Sequence, residues 1–127
     1  MYRDAYAAHW SATGSSPTGE VDLILCPNTP GCAPPHQTAR YWCYTSQWNL
    51  LDYPGAVFPV TTVDPTKDTR DDAYVPRNEH DKFNHSLYTG PERFVGAPVS
   101  LQLVGRRYHD EKVMAGLAAI EKAMGRK

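Results

Sequence analysis

The apolar positions of this chain recur with two periods, one helical and one of strands. Tyr2, Tyr6, His9 and Trp10 fall on one helical face and predict a helix over 1–12 with no capping residue ahead of it. Residues 21–26 (VDLILC) form a short apolar run stopped by Pro27, the mark of a buried strand. Tyr41, Tyr44, Trp48 and Leu51 return to helical spacing and predict an aromatic-faced helix over 37–51. That helix must end near Leu51, because Tyr53 precedes Pro54 and is turned away from helical geometry. The β-branched stretch 56–63 (AVFPVTTV) predicts a strand, and Pro59 moves it to an edge, a bulge or a strand end. At 99–104, Val99, Leu101 and Leu103 alternate with Ser100 and Gln102, and Gly105 closes the strand.

The clearest helix is predicted over 110–124, where Val113, Leu117, Ile120 and Met124 share a face. Asp110 is its expected cap, Gly125 its stop, and Arg126 and Lys127 suit the negative end of its dipole. Gly116 inside it should cost about 1 kcal/mol relative to alanine. Strand, helix and strand in succession suggest a right-handed βαβ unit and an α/β class. Two segments interrupt the pattern. Residues 28–36 hold three prolines and one glycine and must be irregular, and residues 64–93 carry 12 charges in 30 positions, which predicts a long charged surface loop.

Length and composition narrow the classes. At 127 residues the chain has room for one core. Its 13 basic against 14 acidic side chains leave a formal charge of −1, so no nucleic-acid partner is expected. No apolar run approaches the ~20 residues that cross a bilayer, and no apolar leader follows Met1. No membrane partner is therefore expected, and a cytoplasmic location is. Leu, Ile, Val and Phe supply only 22 residues, a thin aliphatic core, while three Trp and eight Tyr add large aromatic side chains. Such a chain is expected to need a neighbouring surface to complete its packing. Three cysteines are an odd number for a disulfide framework and read as reduced thiols.

Four groupings invite a chemical reading, each beside a plainer one. Gly14-Ser15-Ser16 could present a nucleophilic hydroxyl, but no lysine precedes it and the stretch sits in a turn-rich linker, so local turns are the better account. Cys26, Cys32, His36 and Cys43 lack the short C-x2-4-C spacing of a zinc site, and no metal or cofactor is expected. Glu79, His80, Asp81 and His85 form an acid/base or ligand cluster in type, in what reads as a solvated loop. Arg106 and Arg107 read as a rim balanced by Asp110 and Glu111. The aromatic stripe of the 37–51 helix is core in the plain reading, while its C-terminal end, Trp48 with Asn49 and Tyr53, is the expected border of a substrate pocket. There Trp48 or Tyr53 would border the bound molecule and Asn49 would fix the turn.

The order of segments resembles a known family. Asp22-Leu-Ile-Leu-Cys-Pro27, Ala33-Pro34, Asn49 with Pro54 and Pro59, Gly96-Ala-Pro-Val-Ser-Leu-Gln-Leu-Val-Gly105 and Asp110-Glu111 look like the C-terminal part of amidase signature enzymes. The segments YTSQWNLLDYP and APVSLQLVGRRYHDEKV place the likeness nearest the fungal acetamidase and general amidase branch, from about Tyr2 to Ala123. Ser100 stands where much of the wider family has glycine. The resemblance implies that residues 1–127 are one C-terminal portion of an α/β amidase domain, a partial fold with a mixed sheet and flanking helices. It implies hydrolysis of a carboxylic amide to acid and ammonia or amine, by a serine activated through a second serine and a lysine. Those residues belong to a region upstream of the matched one. All five lysines (Lys67, Lys82, Lys112, Lys122, Lys127) follow the Asp22 motif, so no catalytic residue carries over.

Two classes stay open at this stage. One is an amidase portion, inactive alone, that meets a small amide substrate only when completed by the catalytic half. The other is a non-catalytic protein-binding or scaffold remnant. An exposed sheet face also leaves self-association open.

Overall fold

The structure is a computed structural model describing residues 1–126. Its elements run α1 (Tyr2–Ala12), β1 (Ile24–Pro27), α2 (Cys43–Leu51), β2 (Gly55–Thr62), α3 (Glu79–Leu87), β3 (Pro98–Val104) and α4 (Asp110–Ala123), with 3-10 turns at Thr13–Ser15 and Pro91–Phe94. The three strands lie in the order β1-β3-β2.

β3 takes the centre because it has the longest clean alternation and is buried at Gln102, Leu103 and Val104. Both flanking ladders are antiparallel, Leu25 facing Leu103 on one side and Ala56 facing Leu103 on the other. The α/β class therefore stands, but the mixed sheet does not appear among these strands. β1 and β2 run in the same direction, as a βαβ unit requires, yet β3 lies between them and no parallel ladder forms. β1 is short, stopped by Pro27, and β2 carries Pro59, so each fits an edge better than the centre. Pro59 is followed by a register shift before Thr61, the bulge that its missing donor allows.

Alternation assigns the two sheet faces. On one face Val104 packs with Trp48 and Leu51 of α2, joined by Ile24, Cys26, Tyr6 and Tyr53. On the other face α4 lies over β2 and β3. There a methyl group built on Gly116 would run into Leu23 and come within 3.0 Å of Leu103 Cδ2. Helices thus cover the sheet only in part. Leu25, on the α4 side of β1, is 54% exposed, and Val57, on the α2 side of β2, is 55% exposed.

The starts of α2 and α4 differ from the sequence reading for local reasons, and β1 runs Ile24–Pro27 where the sequence predicts 21–26. α2 starts at Cys43, because Gln37 adopts φ 63° and Trp42 is the helix cap. Its end is where Pro54 requires it: Asp52 turns left-handed and Tyr53 N–H donates to Trp48 O at 3.0 Å. α4 is capped by the backbone of His109, so Asp110 is its first helical residue and acts on the dipole instead. Gly125, at φ 71°, stops α4, and Arg126 N–H donates to Glu121 O at 2.9 Å. Lys127 lies outside the described residues.

The expected loop 64–93 is not wholly irregular, since it contains α3. The Asn78 side chain accepts from Asp81 N–H at 2.9 Å, and Glu79 and Asp81 place acid in the first turn. No helix among the described residues is long and apolar enough to cross a membrane.

Candidate functional site

A cavity of about 780 Å³ opens where the chain leaves β1 and folds beneath the charged segment. The proline-rich turn from Asn28 to Pro34 forms one wall, and Tyr41, Trp42 and Thr45, at the N-terminal end of α2, form a second. Val63, Phe94 and Val99 give it an apolar floor beside the sheet. The remaining wall comes from residues 68–74 and from α3, through Asp81, Asn84 and His85. Its volume falls within the range of known ligand pockets, and its lining mixes aromatic surface with a few polar groups.

Polar bonds hold the charged wall in place. His85 Nε2 lies 2.9 Å from Asp71 O, Tyr88 OH donates to Asp68 O at 2.6 Å, and Tyr74 OH donates to Asp81 Oδ2 at 2.7 Å. Arg77 N–H donates to the same Asp81 oxygen at 2.8 Å. The Arg77 backbone donor, and next the Tyr74 hydroxyl, hold the Asp81 carboxyl below the ordinary carboxylate range. That bond in turn pushes the Tyr74 phenol up. The Arg40 guanidinium sits 4.8 Å over the Phe83 ring and ties α3 to the segment ahead of α2.

Among the described residues the thiol of Cys32 lines this space, and burial pushes it up, which favours the protonated, weakly nucleophilic form. Ser15 Oγ donates to Ala12 O and Ser16 pairs with Thr18, the local turns expected of that linker. Cys26, Cys32 and Cys43 are free thiols. Among the described residues no three of His, Cys, Asp and Glu gather to hold a metal ion.

The residues singled out in the sequence are distributed unevenly. Trp48 lies in the core against Leu51 and Val104, with Tyr6 edge-on at 6.1 Å. Tyr53 meets Tyr6 at 5.9 Å and Trp10 at 5.6 Å, both edge to face. Asn49 is exposed and contributes its carbonyl to the turn, accepting from Asp52 N–H at 3.2 Å. None of the three lines the cavity. The aromatic stripe does reach it, through Tyr41 at the opposite end of the predicted helix. His85 and Asp81 of the Glu79–His85 cluster reach it too, so this segment is cavity wall where the sequence suggested solvated loop. Arg106 and Arg107 are balanced by Glu20 and Asp52, the latter at 2.7 Å, and not by Asp110 and Glu111.

Cavity residues that the sequence reading did not single out include Asn28, Arg40 and Arg70. The one local signal for its far wall was Asn78 before an acidic first turn, with Phe83 and Leu87 four residues apart on a helical face.

The chain is similar to fungal amidases along nearly its whole length. It is 50% identical over 119 residues to a putative amidase of Schizosaccharomyces pombe, covering 94% of this chain and 21% of that protein. To an acetamidase of Emericella nidulans it is 34% identical over 124 residues, covering 98% and 22%. Among solved structures, a fatty acid amide hydrolase superposes with a TM-score of 0.83 at 38% identity, over 97% of this chain and 21% of that one. The chain thus spans about a fifth of the length of these relatives. The family described as Amidase matches residues 1–114, and the chain belongs to it.

Proposed function

We propose that this chain serves an amide hydrolase by forming the recognition side of its substrate site, while the serine pair and lysine come from the rest of the family fold. The reaction is conversion of a carboxylic amide to acid plus ammonia or amine, and the chain alone is inactive. The likeness to fatty acid amide hydrolase over 97% of the chain carries this reading. The side chains agree with it. Lys67, Lys82 and Lys112 are engaged with Asp64, Glu79 and Asp22 at the surface, at 3.1, 4.0 and 2.5 Å, and none is poised beside a serine. Leu25 and Val57 leave apolar sheet surface that a larger fold would cover.

The test is amide hydrolysis, followed with phenylacetamide, by the chain alone and by the chain joined to the catalytic region of a fungal amidase. Turnover by the joined protein and none by the chain alone is the expected result. Turnover by the chain alone that survives replacing Ser15 and Ser16 together would overturn the assignment. A joined protein that folds without turnover, beside a chain that holds an unrelated protein, would favour the scaffold reading.

A further inference from the structure

Tyr41, Trp42, Tyr74, Tyr88 and Phe94 line the large cavity, and an aromatic face presents the negative side of its quadrupole to whatever lies against it. Carboxylates stand among these rings. Asp68 O accepts from Tyr88 OH at 2.6 Å, and the Tyr88 ring lies 5.0 Å from that of Phe94. Asp71 O lies 2.9 Å from His85 Nε2, whose ring is 5.1 Å from Tyr74, and Tyr74 OH donates to Asp81 Oδ2 at 2.7 Å. Asp68 and Asp71 are exposed residues. Each accepts a backbone N–H on one carboxylate oxygen, from Asp64 at 2.8 Å and from Ala73 at 3.0 Å, and neither pairs with a cationic side chain among the described residues. The cations of the lining are directed elsewhere. Arg70 Nε is 3.0 Å from Asp72 Oδ1 and Arg40 sits over the Phe83 ring, and neither Asp72 nor Phe83 lines the cavity. Asp68, Asp71 and Asp81 therefore leave the lining a surplus of negative charge. The field of Asp68 enters the cavity: burial first, and the Asp68 carboxylate in addition, push up both the Cys32 thiol and the Tyr88 phenol. Surroundings that resist an anion in this way favour a cation.

Resting on the amide-hydrolase reading, we infer that the favoured substrate is an amide carrying an alkylammonium group, and that the aromatic, acid-bordered cavity is the subsite that receives the cation. The ring faces attract the ammonium and its alkyl groups cover apolar lining. The carboxylates act on it through the field of the cavity and need not touch it. On an open surface salt would screen them, whereas beside apolar walls their attraction is kept. A quaternary ammonium, which donates no hydrogen bond, is received on these terms, and a neutral amide of the same shape gains only the apolar part.

The experiment compares kcat/KM for 4-trimethylammoniobutanamide and for its uncharged isostere, in which carbon replaces the ammonium nitrogen, in the protein that joins this chain to its catalytic region. The cation should be preferred by roughly tenfold. Asp68→Asn together with Asp71→Asn, which keeps an acceptor for each backbone N–H, should cut that preference by roughly threefold or more. Glu121→Gln, which removes a carboxylate outside the lining, should leave it as it was. In the parent protein, raising the ionic strength from about 0.01 to about 1 M shortens the Debye length from about 30 to about 3 Å and should also reduce the preference, so a double variant that does not fold leaves the question decidable. Equal rates, a faster neutral amide, a preference that salt leaves unchanged, or turnover of phenylacetamide with neither of the pair would overturn the cation subsite and leave the amidase reading intact. Should phenylacetamide fail as well, the amidase reading fails separately, and calorimetric titration of the 127-residue chain with the same pair decides the site. Tighter binding of the cation, weakened by salt, would sustain it, and equal or absent binding would refute it.

Discussion

Gly116 of α4 is the seat of Leu23: a methyl group added to the glycine would overlap Leu23 Cδ1. The residue that looked like a flaw in the helix is the point at which α4 reaches the chain just ahead of β1. Gly116→Ala gains about 1 kcal/mol of helix propensity but must displace Leu23 and press on Leu103, an overpacking cost of about 1–3 kcal/mol. A net loss of stability is expected in urea denaturation. In a Leu23→Ala background the overlap with Leu23 is gone and only the 3.0 Å approach to Leu103 Cδ2 remains, so the same substitution should cost less there than in the parent chain.

Gln102 is the second point at which a helix is fixed to the sheet. Its side chain, 4% exposed, donates to Tyr44 O of α2 at 2.5 Å and to Pro27 O at the end of β1 at 2.7 Å. One amide therefore satisfies two carbonyls and sets the start of α2 above the strand that leads into the cavity. Gln102→Leu keeps the volume and removes both donors, so we expect a loss of about 2–4 kcal/mol, two unsatisfied groups at about 1–2 each. Chemical denaturation measures it.

These two contacts show what could and could not be read along the chain. The strands and α4 follow from periods of 2 and 3.6, which are local properties of neighbouring residues. That β3 separates β1 from β2 is a pairing between residues some 40 to 80 positions apart, and no local pattern encodes it. α3 was hidden by its own composition, for Glu79, Asp81 and Lys82 mask a face on which Phe83 and Leu87 alone are apolar. The aromatic stripe reaches the cavity at Tyr41, and that placement depends on the far segment 68–88 folding over the turn at Asn28 to Pro34. Trp48 was legible as core or pocket equally, because both environments select a large ring.

The wall contributed by residues 68–78 hangs on polar bonds, and Asp81 is the group that gathers them. Its carboxyl is held below the ordinary range, so its contribution is complete above the unfolded value of about 4 and is lost as pH falls through the lowered folded value. Acidification in that window should raise amide exchange at Arg77 before the sheet amides respond. Asp81→Asn should produce the same local change at neutral pH, with little shift of the global unfolding midpoint.

Trypsin offers a second view of the same wall. Lys82 lies inside α3, whereas Lys67 and Arg77 lie outside any helix or strand. The first cleavage is expected at Lys67 or Arg77, and more readily in Asp81→Asn, since Arg77 N–H then loses its carboxylate partner. Initial cutting at Arg40 or Lys112 would show that the segment is not the weak point.

Trp48 tests whether the core and the cavity are separable. Its ring is 9% exposed, packed on Leu51 and Val104 and met edge-on by Tyr6, while Tyr41 and Thr45 face the cavity from the other end of the helix. Trp48→Leu removes most of an aromatic ring from a packed site and should cost about 2–4 kcal/mol, partly as lost contact and partly as residual void. Because the cavity wall is built by different residues, the ranking of phenylacetamide against acetamide in the joined enzyme should survive the loss. Thermal denaturation and kcat/KM on the same preparation separate the two effects. A lowered melting temperature with an unchanged ranking is the outcome this packing requires, and a changed ranking at constant stability would place Trp48 at the substrate instead.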